Sequence, residues 1–396
     1  MVKNITFISI IILLCAFHVS AQTIKYDTFG KGLQITSKDS TSSLKFSARF
    51  QTLYFGVVNL DNNNYTDNLL VRRMRLKFDG HALTPKLVYK LELGFSNRDQ
   101  SGGDIPESSN TPRIILDAVA KYNFAKNWYL WFGQTKLPGN RERIISSQKL
   151  QHVDRSILNS RFTTDRDIGI QLWRKTKYLS LVGAISKGEG RDVTVSNKGG
   201  YEYSFKVEVY PFGSFKSGGD YSGADLVREE KPKLAIAASF DQNNDAARIR
   251  GNTGFFLDTR SDLRSYFVDA IFKFKGFSAM VEYATKEVSD GELWGVTDEG
   301  DSIAFMVGNA INLSSGYIFD NNIEISGRYT KLNADKNLDE LDQNGISVLR
   351  DNNQYTLGVS KYFRNHSLKV QSDITYIERP VNDNQLLIRM QLEIAL

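Results

Sequence analysis

Residues 128–132 read WYLWF, residues 133–166 read GQTKLPGNRERIISSQKLQHVDRSILNSRFTTDR, and residues 167–173 read DIGIQLW. An aromatic run suited to a strand stops, a long polar connection follows, and a second strand-like run begins. Connections longer than about 12–15 residues are uncommon in compact domains and are usually functional. This one sets Lys136, Arg141, Arg143, Lys149, Arg155, Arg161 and Arg166 against Glu142, Asp154 and Asp165. If the two flanking strands are neighbours in one sheet, the connection leaves and re-enters at nearly the same place. Its role then depends on what the sheet encloses.

Outward from that stretch the chain keeps a period of two. Leu44, Phe46, Ala48 and Phe50 alternate with Lys45, Ser47, Arg49 and Gln51. Met74, Leu76 and Phe78 alternate with Arg73, Arg75 and Lys77, and Tyr89, Leu91 and Leu93 with Lys90 and Glu92. Tyr203, Phe205 and Val207 enclose Ser204 and Lys206, and Ile325, Gly327 and Tyr329 enclose Ser326 and Arg328. The last run sets Ile388, Met390, Leu392 and Ile394 against Arg389, Gln391 and Glu393. Such alternation is a strand with one apolar and one polar face. Aromatics recur at both strand ends, and the polar faces are charged in strand after strand. That pattern fits a membrane barrel with an apolar outside and a wet inside better than it fits a soluble sandwich.

The connections support this. Short turns such as Lys275-Gly276, Asp320-Asn321-Asn322 and Arg364-Asn365-His366 mostly alternate with long polar loops such as 59–68, 97–112, 137–166, 187–200, 241–262, 287–301 and 333–352. One turn, 211–232, is long where a short one is expected. The expected fold is all-β, a transmembrane antiparallel barrel of about 16 strands, wide enough for an aqueous channel. The long third loop is expected to fold into its lumen.

The first residues read as an export signal. Lys3 precedes an apolar run, and Val19-Ser20-Ala21 offers small residues for cleavage. Residues 1–21 are therefore expected to be removed, 22–43 to form a segment in the periplasm, and 44–396 to form the barrel in the outer membrane of a Gram-negative cell. Removal of the signal takes with it Cys15, the only cysteine, and so excludes disulfides and thiolate chemistry. The formal charge of +5 is too slight and too scattered for a nucleic-acid binder. An enzyme is not expected. His81, His152 and His366 fall in turns or loops, and His152 beside Ser147 is a nominal pair only. No cofactor is expected. Asp335 to Asp339 starts like a calcium loop, but Glu340 stands where the turn glycine belongs and Ile346 where the final carboxylate belongs.

With the strands placed, the chain resembles the phosphate-selective porin O and P family. The resemblance is carried by Arg72-Arg73-Met74-Arg75-Leu76, by Gly133-Gln134-Thr135-Lys136-Leu137-Pro138, by Asp167-Ile168-Gly169-Ile170-Gln171-Leu172, and by Tyr210-Pro211-Phe212-Gly213. It implies a sixteen-stranded homotrimeric porin whose third loop and lumen wall carry basic residues that pass anions. Two departures stand out. The chain ends in Leu396 where an aromatic is usual, and the lumen face carries Glu92, Asp117, Glu202, Glu208, Asp269, Glu282, Glu324, Asp373 and Glu393.

The expected partners are small anions such as phosphate, outer-membrane lipid and further copies of the chain. The residues expected to bind solute or line a constriction are Lys136, Arg141, Arg143, Lys149, Arg155 and Arg161 in the third loop, with Arg73, Arg75 and Lys77 on the wall. A guanidinium suits an oxyanion because its planar fork donates two hydrogen bonds at once. Arg72 has the opposite strand parity and is expected at the membrane interface. The acidic wall favours anion preference over phosphate specificity. The alternatives are a general or larger-solute uptake channel and a structural or adhesive barrel.

Overall fold

The computed structural model describes residues 23–25, 29–100, 113–194, 197, 200–380 and 384–396. The expected signal at 1–21 lies outside them, as does most of the loop 97–112.

Sixteen antiparallel strands close into one barrel. In chain order they are β1 (Ser43–Asn59), β2 (Asn64–Ala82), β3 (Thr84–Gly94), β4 (Ile115–Ala125), β5 (Trp128–Lys136), β6 (Arg166–Lys175), β7 (Leu179–Ser186) and β8 (Glu202–Val209). There follow β9 (Lys233–Arg248), β10 (Phe256–Phe274), β11 (Phe277–Asp290), β12 (Gly308–Ile318), β13 (Ile323–Ala334), β14 (Asn352–Arg364), β15 (Leu368–Glu378) and β16 (Gln385–Ala395). Each strand pairs with the next. β16 closes on β1 from Gln385 opposite Asn59 to Ala395 opposite Arg49, so no edge of the barrel is left unpaired, as a lipid environment requires. Leu33–Thr36 pairs with Ser43–Phe46, the part of β1 beyond the reach of β16, and Thr23–Lys25 pairs with Leu33–Thr36 in turn.

Burial is inverted relative to a soluble protein. On β12, Asn312 and Ser314 are buried while Leu313 and Tyr317 are exposed. On β14, Thr356 and Ser360 are buried while Tyr355, Leu357 and Val359 are exposed. The apolar face is therefore the outside of the ring and the charged face the inside. All nine acidic residues named above as lumen-facing are buried.

Short turns close one end. At Lys275-Gly276 both residues take positive φ, 47° and 89°, the combination whose twist matches that of the hairpin strands. At the other end the strands run further than their sequence suggests. β1 and β2 continue to a turn at 60–63, and β9 and β10 leave only 249–255 between them. The remaining outer connections share a small apolar core of Ile249, Leu257, Leu263, Phe305, Val307, Leu338 and Ile346. A short ribbon, Trp294–Val296 against Ser302–Ala304, belongs to this region.

One local irregularity matters for the site. Gln51 faces Arg73 while Thr52 faces Val71, which leaves Arg72 as the extra residue of a bulge. Arg72 and Arg73 are consequently both buried on the inner face. The expectation that Arg72 lies at the membrane interface is overturned, because the bulge breaks the parity on which it rested.

Candidate functional site

The third connection carries α1 (Arg141–Ile144), one 3-10 turn at Ser147–Lys149 and α2 (Ile157–Phe162). Ser156 caps α2, its Oγ accepting from the Asn159 N–H at 3.2 Å. The Glu142 carboxylate accepts from the Ser156 N–H and hydroxyl. Leu158 and Phe162, one turn apart on one face, are fully buried against Phe267, Ala284, Ala310 and Leu332. Those wall positions are apolar where most inner positions are polar. At Gly316 on β12, an added Cβ would lie 2.4 Å from Gln151 Nε2, so the missing side chain makes room for the connection.

Polar bonds then attach the connection to the wall on many sides. Arg141 donates through Nε to Asp269 at 2.6 Å and through Nη2 to Glu208. The Glu142 N–H donates to Glu282 at 2.7 Å, Gln151 Nε2 to Glu324 at 2.7 Å, and the Val153 N–H to Asp373 at 3.0 Å. Arg49 of β1 reaches Ser147 Oγ at 2.9 Å, and Lys206 of β8 reaches the Gly139 carbonyl at 2.9 Å. The acidic wall, read from sequence as weighing against phosphate specificity, is here occupied at Glu208, Asp269, Glu282, Glu324 and Asp373 in holding the connection.

What remains is a cavity of about 870 Å³ lined by fourteen cationic side chains and five carboxylates. Of the residues expected at the site, Lys136, Arg143, Arg155, Arg161, Arg73 and Arg75 line it. Three do not. Arg141 is fully buried in its pairs with Asp269 and Glu208. Lys77 is turned to Asp79 at 2.7 Å. Lys149 lies where its backbone carbonyl accepts from the Gly223 N–H of the long turn, away from the cavity lining. Arg72, Arg113, Arg166, Arg191, Arg248, Arg250, Arg328 and Arg389 complete the basic lining. Arg328 and Arg389 had the right strand parity in the sequence. The others come together only through the bulge and the outer loops.

The cations are held in two ways. Arg75 pairs with Asp99 at 2.6 Å and Glu92 at 3.1 Å, Arg166 with Asp117 at 3.1 Å, and Arg389 with Asp373 at 2.6 Å. Asp154 accepts from Arg72 at 2.7 Å and from Arg73 at 3.1 Å. Others are held by backbone carbonyls, which fix a cationic side chain without an opposing full charge. Arg155 donates to the carbonyls of Glu142 and Ile145 at 2.8 and 2.6 Å, Arg248 to that of Gly254 at 2.8 Å, and Lys136 to that of Arg143 at 2.8 Å. Burial, reinforced by the charges of Arg143 and Arg73, pushes the Arg155 pKa well below the usual arginine range. Burial raises the Asp165 pKa, but Arg143 and Arg166 outweigh it and hold the carboxyl ionised. His152 is kept neutral by burial and by Arg328 and Arg389. No group of three or more His, Cys, Asp or Glu side chains suited to a metal ion occurs among the described residues.

A closed ring of sixteen strands, apolar outside and charged inside, with a cavity of fixed guanidinium groups, defines an outer-membrane barrel of the channel-forming class. The family model for phosphate-selective porin O and P matches residues 44–298, and the chain belongs to that family. Among solved structures it is similar to the anion-selective porin from Comamonas acidovorans, with a TM-score of 0.56 at 12% identity over 90% of this chain and 100% of the other. It is similar to the outer membrane channel DcaP of Acinetobacter baumannii, with a TM-score of 0.53 at 14% identity over 91% and 99%. It is also similar to in-vitro folded OmpT of Vibrio cholerae in its trimer form, with a TM-score of 0.51 at 11% identity over 89% and 99%. At these identities the likeness is one of fold. No curated protein sequence matches.

Proposed function

We propose that the chain is a passive, anion-preferring diffusion channel whose third loop lies in the lumen and narrows it, with phosphate or another small oxyanion among its solutes. The observation that carries this is the cavity lining, fourteen basic side chains against five carboxylates, with Arg155 and Arg248 anchored by carbonyls rather than by carboxylates. Fixed positive charge between low-dielectric walls concentrates anions, and many moderate contacts let an ion leave as readily as it enters. The family and the anion-selective porin of like fold support the reading. It includes cleavage after Ala21 and assembly as a homotrimer, the form in which the similar OmpT structure was solved.

Reversal potentials of the purified protein in planar bilayers under a KCl gradient test it. Chloride preference with inhibition of the chloride current by added phosphate is expected. Potassium preference would overturn the anion reading.

A further inference from the structure

The lining that carries the arginines also carries an apolar shelf. Ile249, Phe255, Phe256 and Met306 border the same cavity as Arg161, Arg248 and Arg250. The shelf is held in place from both sides. The Met306 N–H donates to the Ile249 carbonyl at 2.7 Å and the Ile249 N–H to the Phe255 carbonyl at 3.1 Å. Ile249 belongs to the buried core of the outer loops and Met306 packs on it. Across the cavity mouth, Arg250 donates to the Ser160 carbonyl at 2.8 Å, and Asn252 accepts from the Asp165 N–H at 3.1 Å. The tip between β9 and β10 is thus fastened to the third loop.

The two phenylalanines are not part of that core. Phe255 is 59% exposed, and the Arg248 guanidinium lies over the Phe256 ring at 4.5 Å. A hydrated inorganic oxyanion gains nothing from an aromatic surface. A carboxylate or sulfonate attached to an apolar body gains from both sides, with guanidinium on its head and removal of its apolar area from water on its tail. A cavity of about 870 Å³ is in the range of pockets that take such molecules, about 300–1,000 Å³.

We infer that the channel's preferred solutes are organic anions with an aromatic or branched apolar body, which lie with the anionic group on the arginines and the body against Phe255 and Met306. This rests on the anion-preferring reading above and narrows it. The test compares inhibition of the chloride current of the full-length protein in planar bilayers by benzoate and by acetate at pH 7, where both are monoanions. Benzoate is expected to half-inhibit at a concentration at least about fivefold lower than acetate, the aromatic area being the difference. Phe255→Ser, at an exposed position, should bring the two together while leaving inhibition by phosphate in place, and Met306→Ser should do so in part. Equal half-inhibition by benzoate and acetate in the native protein overturns the inference, as does a benzoate advantage that survives both substitutions. In either case chloride preference with phosphate inhibition would leave the anion reading standing, whereas potassium preference would fail that reading itself.

Discussion

Arg141 of the third loop and Asp269 of β10 meet at 2.6 Å, with both side chains almost entirely removed from solvent. Glu208 and the Asp220 carbonyl take up the rest of the guanidinium. The pair joins the base of the loop to a distant part of the wall, so Arg141 acts as an anchor although its sequence context suggests a solute ligand.

Arg141→Met therefore removes one cation from between two buried carboxylates. Breaking one side of a buried pair costs about 3–5 kcal/mol, and the loss should appear as a lower unfolding temperature of the detergent-folded barrel. If the loop also loosens, single-channel records become noisier while ion preference changes little. A large loss of anion preference with unchanged stability would place Arg141 on the ion path instead.

Asp154 is the converse case. It stands between Arg72 at 2.7 Å, Arg73 at 3.1 Å and Arg389 at 3.9 Å, and it is one of few carboxylates on the cavity. Asp154→Asn keeps its shape and frees its arginines. A unit charge about 6 Å from a passing ion is worth about 0.7 kcal/mol in a water-like dielectric, a factor of about three. Because the charge acts on anion and cation with opposite sign, the chloride-to-potassium permeability ratio is expected to rise by that factor squared, about tenfold, in reversal-potential measurements at low salt, and the gain should shrink as screening grows.

How much of this was legible beforehand differs between wall and site. The barrel and its strand number follow from period-two alternation, and its face assignment from the aromatic strand ends, the charged polar faces and the alternating short and long connections, because one face must meet lipid and the other water. The acids from Glu92 to Glu393 fall on the inner face as that alternation requires. The bulge at Arg72 breaks the rule, and nothing in Arg72-Arg73-Met74-Arg75 marks which residue is the extra one. Parity likewise shows which face Glu208 or Asp269 occupies, and not that Arg141 will fill the space between them. The support of α2 was partly readable: Ser156 before Ile157 is a cap signal, and Leu158 with Phe162 is the i, i+4 pair of a helix with one buried face. The shelf of Phe255 and Met306 joins outer loops far apart in sequence, so no local pattern announces it.

Arg155 separates charge from geometry. Its guanidinium donates to the Glu142 and Ile145 carbonyls, and no ion pair with a carboxylate involves it among the described residues. Arg155→Gln should lower the anion-to-cation permeability ratio by about the same tenfold factor. Arg155→Lys should preserve the ratio near neutrality and make it pH-dependent. A lysine begins near pKa 10.4, and the same burial and like charges that lower the arginine's pKa favour loss of the lysine's proton. The ratio should then fall as pH rises into the mildly alkaline range, while the native protein stays level there. A pH-independent lysine variant would show that this position is wetter than its surroundings indicate.

Acid should unfold the protein in two stages that His152 and Asp165 separate. His152 is buried, and among the described residues neither of its ring nitrogens has a hydrogen-bond partner. Burial, with Arg328 and Arg389 beside it, holds its folded pKa well below the ordinary value of 6.5. Below about pH 6.5 the unfolded chain takes up a proton there that the folded chain refuses, so stability falls as pH drops from that point. Asp165 acts lower. Its folded pKa lies below the ordinary 3.8 because Arg143 and Arg166 outweigh burial. The stability it contributes is complete above its unfolded value and is lost as pH falls through the folded one. Unfolding temperatures measured in detergent from pH 8 to pH 3 should therefore begin to decline at about pH 6.5 and fall more steeply below about pH 4. His152→Gln should remove part of the first decline and leave the second. His366, half-buried and shifted down by desolvation and by Lys369 and Lys149, should supply the remainder of the first, and His152→Gln combined with His366→Gln should flatten it. A native protein whose unfolding temperature is level between pH 8 and pH 5 would show that neither histidine is as enclosed as this packing requires.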